Sequence, residues 1–229
     1  MFIGVDVGGT FTDIIVNPGN GKKLLLHKLP STPAAPERAI IEGLKSLLAD
    51  NGLDGTQIGR IAHGTTVGTN ALIQRKYGKV ALITSVGFRD LLELARQTRP
   101  TVYDMHRDHP KPIVDRELRI EVPQRRLADG SVHVALDEQA VAKVAQDLAK
   151  AGVDSVVVCF LHSYAYPEDE NRTAEILRKH LPDSVSVLTS ASVYPEFREY
   201  ERFSTAVLNA ALINVVGSYL DRLSQAAAQ

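Results

Sequence analysis

An α/β fold with a mixed sheet is the class this sequence predicts, and three stretches carry the prediction. In "FIGVDVGGTFTDIIV", residues 2–16, alternating apolar runs flank Gly8-Gly9, the pattern of paired strands. "SVVVCFL", residues 155–161, is apolar on both faces, as a strand inside a parallel sheet must be. "EQAVAKVAQDLAKAG" places Val141, Val144 and Leu148 on one helical face. Helix alternating with strand completes the class.

Taken in order, strands are expected over 2–7, 10–16 and, after the turn "NPGNG", 23–29. "STPAAPERAIIEGLKSLLADNG" supplies a helix, with Pro36 in its first turn and Gly52 past its end. "IGRIAHGTT" and "KVALITS" read as short strands separated by helix-like "GTNALIQRKYG", and "GFRDLLELARQT" as a further helix. Residues 99–129 hold four prolines and read as a long loop with one strand. Asp137 is positioned to cap the helix that follows. A helix over 167–181, a strand over 184–189 and about 35 final residues of helix complete the chain.

The bulk numbers restrict function. With 229 residues, 44% hydrophobic and 23% charged, the chain can bury a sizeable core. A net charge of -1 argues against nucleic acid or an anionic membrane as partner. No apolar run approaches the roughly 18 residues of a membrane span, and no signal peptide is evident. The lone Cys159 reads as core, which suits a reducing cytoplasm.

The glycine turn is where chemistry is expected. Asp6 is a carboxylate in an apolar strand, which costs desolvation unless it has a task. Gly8 and Gly9 let backbone N–H groups approach an anion, and Thr10 and Thr12 add hydroxyls. A carboxylate beside phosphate is a natural holder of hydrated Mg²⁺. A Walker loop is absent, and a dinucleotide fingerprint would lead into a helix, whereas a strand follows here. "HRDH" at His106 and His109 lacks the H-E-x-x-H zinc spacing.

"DVGGTFTD" resembles the phosphate hairpin of actin-like and sugar-kinase-like ATPases, of ribonuclease H-like fold. With "IAHGTTVGTNALIQRKYGKVALITSVGFRDLLELARQTRP", "YDMHRDHPKPIVDRELRIEVPQRRLADGSV" and "EFREYERFSTAVLNAAL", the chain closely resembles the N-terminal region of the hydantoinase A and 5-oxoprolinase family. That family also includes β-type subunits of acetone and acetophenone carboxylases. Gly68 departs from an alanine expected in many members.

The resemblance implies an actin-like first lobe over 1–200, with a helical segment over 195–229 leading to a second lobe outside the chain. It implies use of Mg·ATP to phosphorylate a carbonyl oxygen of a cyclic amide before ring opening, or of a ketone before carboxylation, alongside a hydantoinase B-type partner subunit. Asp6 would then organise Mg²⁺, and Gly8, Gly9, Thr10 and Thr12 would hold phosphate. Asp13 would either bind metal or fix the loop. His63, Thr65, Thr66 and Asn70 would line the substrate carbonyl or phosphate, the alternative being a plain helix cap. Glu196, Glu199 and Arg202, three residues apart along one expected helix face, would line the cleft or form a surface ion-pair ladder. A sugar kinase would leave the later segments unexplained. A nucleotide-binding assembly module predicts association without substrate-stimulated turnover.

Overall fold

The computed structural model describes residues 1–19, 21–32, 35–104 and 106–227. They divide into two compact units, residues 1–76 with 215–229, and residues 77–214. The sequence reading instead expects one lobe over 1–200.

The first unit contains β1 (Phe2–Val7), β2 (Phe11–Asn17), β3 (Leu25–Pro30), α1 (Pro36–Asp50), β4 (Arg60–Thr65) and α2 (Val67–Ile73). Its sheet runs β3-β2-β1-β4, antiparallel except for the parallel β1–β4 pair, so it is mixed as expected. Alternation puts Ile3, Val5 and Val7 of β1 with Ile14 and Val16 of β2 in one core, against Ile40, Leu44, Leu47 and Leu48 of α1. Each such side chain contributes roughly 1.5–3 kcal/mol of transfer free energy. A Cβ at Gly43 would sit 2.9 Å from Ile14 and Leu29 side-chain carbons, so glycine lets α1 approach the sheet.

The second unit contains β5 (Val80–Ser85), α3 (Leu91–Leu94), β6 (Arg119–Val122), β7 (Arg125–Arg126), β8 (Val132–Val134), α4 (Glu138–Ala151), β9 (Ser155–Cys159), α5 (Glu168–His180), β10 (Ser186–Thr189) and α6 (Ser190–Val193). The last helix, α7 (Glu199–Ala227), belongs to this unit up to Asn214 and to the first unit from Val215. Strands β10-β9-β5-β6 form a parallel sheet, and β7 and β8 a separate ribbon. Ala81, Ile83, Val156 and Val158 face the core with Val141, Ala145 and Leu148 of α4 and Ile176 and Leu177 of α5. Val80, Leu82, Val157 and Cys159 point the other way, onto Phe203, Ala206, Val207, Ala210 and Ala211 of α7. Burial on both faces is why "SVVVCFL" is apolar throughout. Cys159 is fully buried, and burial pushes its thiol pKa up. Asp137 caps α4 by accepting from the Ala140 N–H at 2.9 Å.

Three expectations need correction. "GFRDLLELARQT" forms only the four-residue α3, since Ala95 (φ 48°) and Gln97 (φ 54°) leave helical space. Its acidic side chains are drawn to the loop beyond: Asp90 accepts from Arg116 at 2.9 and 3.0 Å, and Glu93 from Arg119 at 2.9 Å. Glu196 lies before α7 rather than on one helix face with Glu199 and Arg202. Finally, α7 contains an 18-residue window of mean hydropathy 1.4, which makes the helix long and apolar enough by length and composition to cross a membrane. A third of that window is buried, through the α7 residues of the second-unit core and through Tyr219, 1% exposed, in the first unit.

Each unit buries a polar cluster. In the second, Arg202 is 0% exposed and donates to the Phe160 carbonyl at 2.7 Å, the Glu196 carbonyl at 3.0 Å and Ser190 Oγ at 3.1 Å. Ser190 in turn donates to buried Glu170 at 2.7 Å, and that carboxylate also accepts from the N–H groups of Phe160 and Ala191. Burial raises the Glu170 pKa, against these donors. In the first unit, the Tyr219 hydroxyl shares a 2.5 Å hydrogen bond with His63 Nε2, and Arg222 donates to Glu37 at 3.0 Å.

Removing Arg202 leaves the Phe160 carbonyl and the Ser190 hydroxyl without its guanidinium in a buried setting. Arg202→Ala should therefore destabilise the second unit by about 2–6 kcal/mol, at about 1–3 kcal/mol for each buried acceptor left unsatisfied, and Arg202→Lys should not restore it because lysine cannot span three acceptors. Urea denaturation measures both; an unchanged midpoint in Arg202→Ala would refute the tether. Burial also holds the His63 imidazole below its ordinary pKa of 6.5. The unfolded chain takes up a proton near that value while the folded unit resists it, so stability is present above about pH 6.5 and falls as pH drops through it. Wild-type melts should lose more stability than His63→Gln melts between about pH 7.5 and about pH 5. Equal losses would mean that His63 is not desolvated.

Candidate functional site

The bare face of the first sheet carries the unusual residues. Register sets Asp6 opposite Asp13 on one side and Gly64 on the other, with Lys28 beyond Asp13, so Lys28, Asp13, Asp6 and Gly64 form one row across the sheet. A Cβ on Gly64 would come 3.2 Å from Asp6 Oδ1, so glycine leaves that carboxylate its space. Lys28 binds both oxygens of Asp13 at 2.8 and 3.0 Å and lies 5.2 Å from the Phe11 ring centroid. Asp13 is thus neutralised, whereas Asp6 is exposed.

The glycine turn closes the end of this row. Gly8 N–H donates to the Phe11 carbonyl at 3.0 Å, and a Cβ at Gly8 would lie 3.1 Å from that oxygen. Gly9 is different: its φ is not positive, and the nearest atom to an added Cβ is Asn70 Nδ2 at 4.0 Å. Nothing in the fold demands glycine there. Among the described residues, the Gly9 and Thr10 N–H groups meet no acceptor, an arrangement suited to an anion. Beside the turn, Thr66 Oγ1 donates to the Val7 carbonyl at 3.4 Å, and Asn70 Nδ2 to Thr66 Oγ1 at 3.1 Å.

Other candidate residues lie elsewhere. Thr12 is 0% exposed and bonds to Ser31 Oγ at 2.9 Å. Ser31 spends its own hydrogen on the Gly8 carbonyl at 2.9 Å, so the Thr12 hydroxyl must donate to Ser31 and has no hydrogen left for phosphate. His63 pairs with Val5, one residue out of phase with Asp6, and so points to the packed face, where it lines an apolar groove of about 760 Å³. Thr65 shares that parity, and its hydroxyl accepts from the Val67 N–H at 3.2 Å, which makes it part of the helix cap. Arg202 is enclosed in the second unit, so it cannot line an open cleft. Glu196 is exposed and Glu199 half-buried there. Among the described residues, no three His, Cys, Asp or Glu side chains gather as a metal cluster.

Sequence reasoning missed Gly64, Ser31 and Lys28. A glycine inside a strand pattern signals a close approach and could have revealed Gly64. Ser31 and Lys28 carry no local signal, since strand pairing brings them in from a distance.

Comparison with known proteins agrees with this architecture. Residues 2–181 match the model of the hydantoinase/oxoprolinase N-terminal region. The chain is 36% identical to a caprolactamase subunit alpha from Pseudomonas jessenii, over 96% of this chain and 32% of that protein. It superposes on the crystal structure of an ATP-dependent caprolactamase from the same organism with a TM-score of 0.91 and 34% identity, covering 99% of this chain and 33% of that one. An acetone carboxylase in a nucleotide-free structure gives a TM-score of 0.85 and 26% identity, covering 99% and 34%. The chain spans about a third of the length of these proteins. With four-fifths of its length under one family model, a mixed-sheet α/β architecture shared with both solved structures and the glycine turn in place, the chain belongs to the hydantoinase/oxoprolinase family and carries its N-terminal region.

Proposed function

We propose that this chain forms the first lobe of an ATP-dependent cyclic amidohydrolase, and that its contribution is to grip the phosphates of Mg·ATP at the Gly8-Gly9 turn. The observation that carries the reading is Gly9. A residue with open space around it and no positive φ has no structural need to be glycine, and its N–H and that of Thr10 lack acceptors among the described residues. Close approach of a ligand supplies the reason.

The donor set fits such a ligand. The Gly9 and Thr10 N–H groups would hold phosphate oxygens, and Asp6, with room provided by Gly64, would accept the waters of Mg²⁺. The pairing of Asp13 with Lys28 supports a role in fixing the loop over one in binding metal. Thr66 and Asn70 would steady the far side of the turn. ATP would supply the phosphoryl group that converts an amide carbonyl oxygen into a leaving group, a step that depends on positioning and charge neutralisation. The reading places a second lobe, closing over the nucleotide, and a hydantoinase B-type partner subunit outside these 229 residues, in a cytoplasmic enzyme. The likeness to acetone carboxylase keeps a second reading open, activation of a ketone for carboxylation.

Mg·ATP titration by calorimetry tests the grip. Binding should be weak, and both Asp6→Ala and Gly9→Val should abolish it. Gly9→Val should keep its melting temperature within about 3 °C of wild type, as an exposed substitution does. Wild-type affinity in Gly9→Val would refute the phosphate reading. On a protein of the relatives' length, ATP hydrolysis stimulated by a cyclic amide, against a ketone with bicarbonate, separates the two chemistries.

A further inference from the structure

We infer that Ser31 is the positioning residue of the glycine turn, the group that aims the Gly9 N–H outward; this rests on the phosphate reading above. A two-residue turn between antiparallel strands ordinarily closes with hydrogen bonds exchanged by its flanking residues. Here half of that exchange is made, from the Gly8 N–H to the Phe11 carbonyl. The Gly8 carbonyl is instead taken by Ser31 Oγ at 2.9 Å. The Ser31 backbone N–H takes the Thr10 carbonyl at 2.9 Å. One residue therefore holds carbonyls on both sides of Gly9.

Peptide geometry turns that hold into an orientation. The C=O and N–H of a trans peptide point in opposite directions. With the Gly8 carbonyl drawn toward Ser31, the Gly9 N–H is turned away from it. Ser31 itself is aimed by Thr12, whose buried hydroxyl donates to Ser31 Oγ and leaves the serine hydrogen for Gly8. The chain of donors runs Thr12, Ser31, Gly8, and it ends in a presented N–H. Loss of the serine hydroxyl would let the Gly8–Gly9 peptide rotate without unfolding the sheet.

The test follows amide resonances of the ¹⁵N-labelled chain during Mg·ATP titration, with melting temperatures measured in parallel. In the wild type, the Gly9 and Thr10 amides should move. Ser31→Ala should weaken binding about tenfold, the effect of one lost hydrogen bond, and should abolish the Gly9 response. Ser31→Thr, which keeps a hydroxyl, should restore both. Thr12→Val should reduce the Gly9 response with Ser31 still present, and it decides the matter if Ser31→Ala does not fold. A Ser31→Ala chain that binds and shifts Gly9 as the wild type does would overturn the positioning role and leave the phosphate reading standing. Failure of Ser31→Thr to restore the response would also overturn it. Wild-type Gly9 and Thr10 amides that ignore Mg·ATP would overturn both.

Discussion

The pairing register of β1 with its two neighbours is the constraint on which the first unit depends. Side chains alternate along a strand, so a slip by one residue would exchange the faces of the whole strand. In the observed register the apolar set Ile3, Val5 and Val7 packs on α1, and Asp6 is delivered to the bare face beside Asp13 and Gly64. Core and site are two consequences of one pairing. The apolar residues hold Asp6 in place without touching it, and the desolvation that a buried carboxylate would suffer is avoided because its face is open.

The same rule governs which expectations were legible. The Gly8-Gly9 turn, the strands around it and the buried parallel strand at Val156–Val158 could be read because their signals are local: alternation, a glycine pair, an unbroken apolar run. The side of the sheet reached by His63 could not. It is one position from Gly64 in sequence and on the opposite face in space, and only the pairing with Val5 says so. Thr12 looked like a phosphate ligand because threonine beside a glycine turn is ambiguous until parity buries it.

Arg202 shows a different limit. An arginine three residues from a glutamate on an expected helix reads as a surface ladder or a cleft lining, since charged groups are seldom buried. Its enclosure depends on carbonyls at Phe160 and Glu196 and a hydroxyl at Ser190, none of which can be associated with it by spacing alone. Family resemblance marked the segment as distinctive without saying why. In this structure Arg202, in the first turn of α7, ties together the residue after β9, the start of α6 and the loop before α7, and through Ser190 it reaches Glu170 in the first turn of α5.

The division of α7 between the two units has a consequence for how the chain folds. Residues 77–214 are continuous, so the second unit can complete its core from one uninterrupted segment. The first unit cannot, because Tyr219 meets His63 across 156 positions and Arg222 meets Glu37 across 185. Closing so long a loop costs entropy that an already folded intervening unit largely removes. The first unit therefore completes these contacts only once residues 215–227 have been made, after the whole of the second unit.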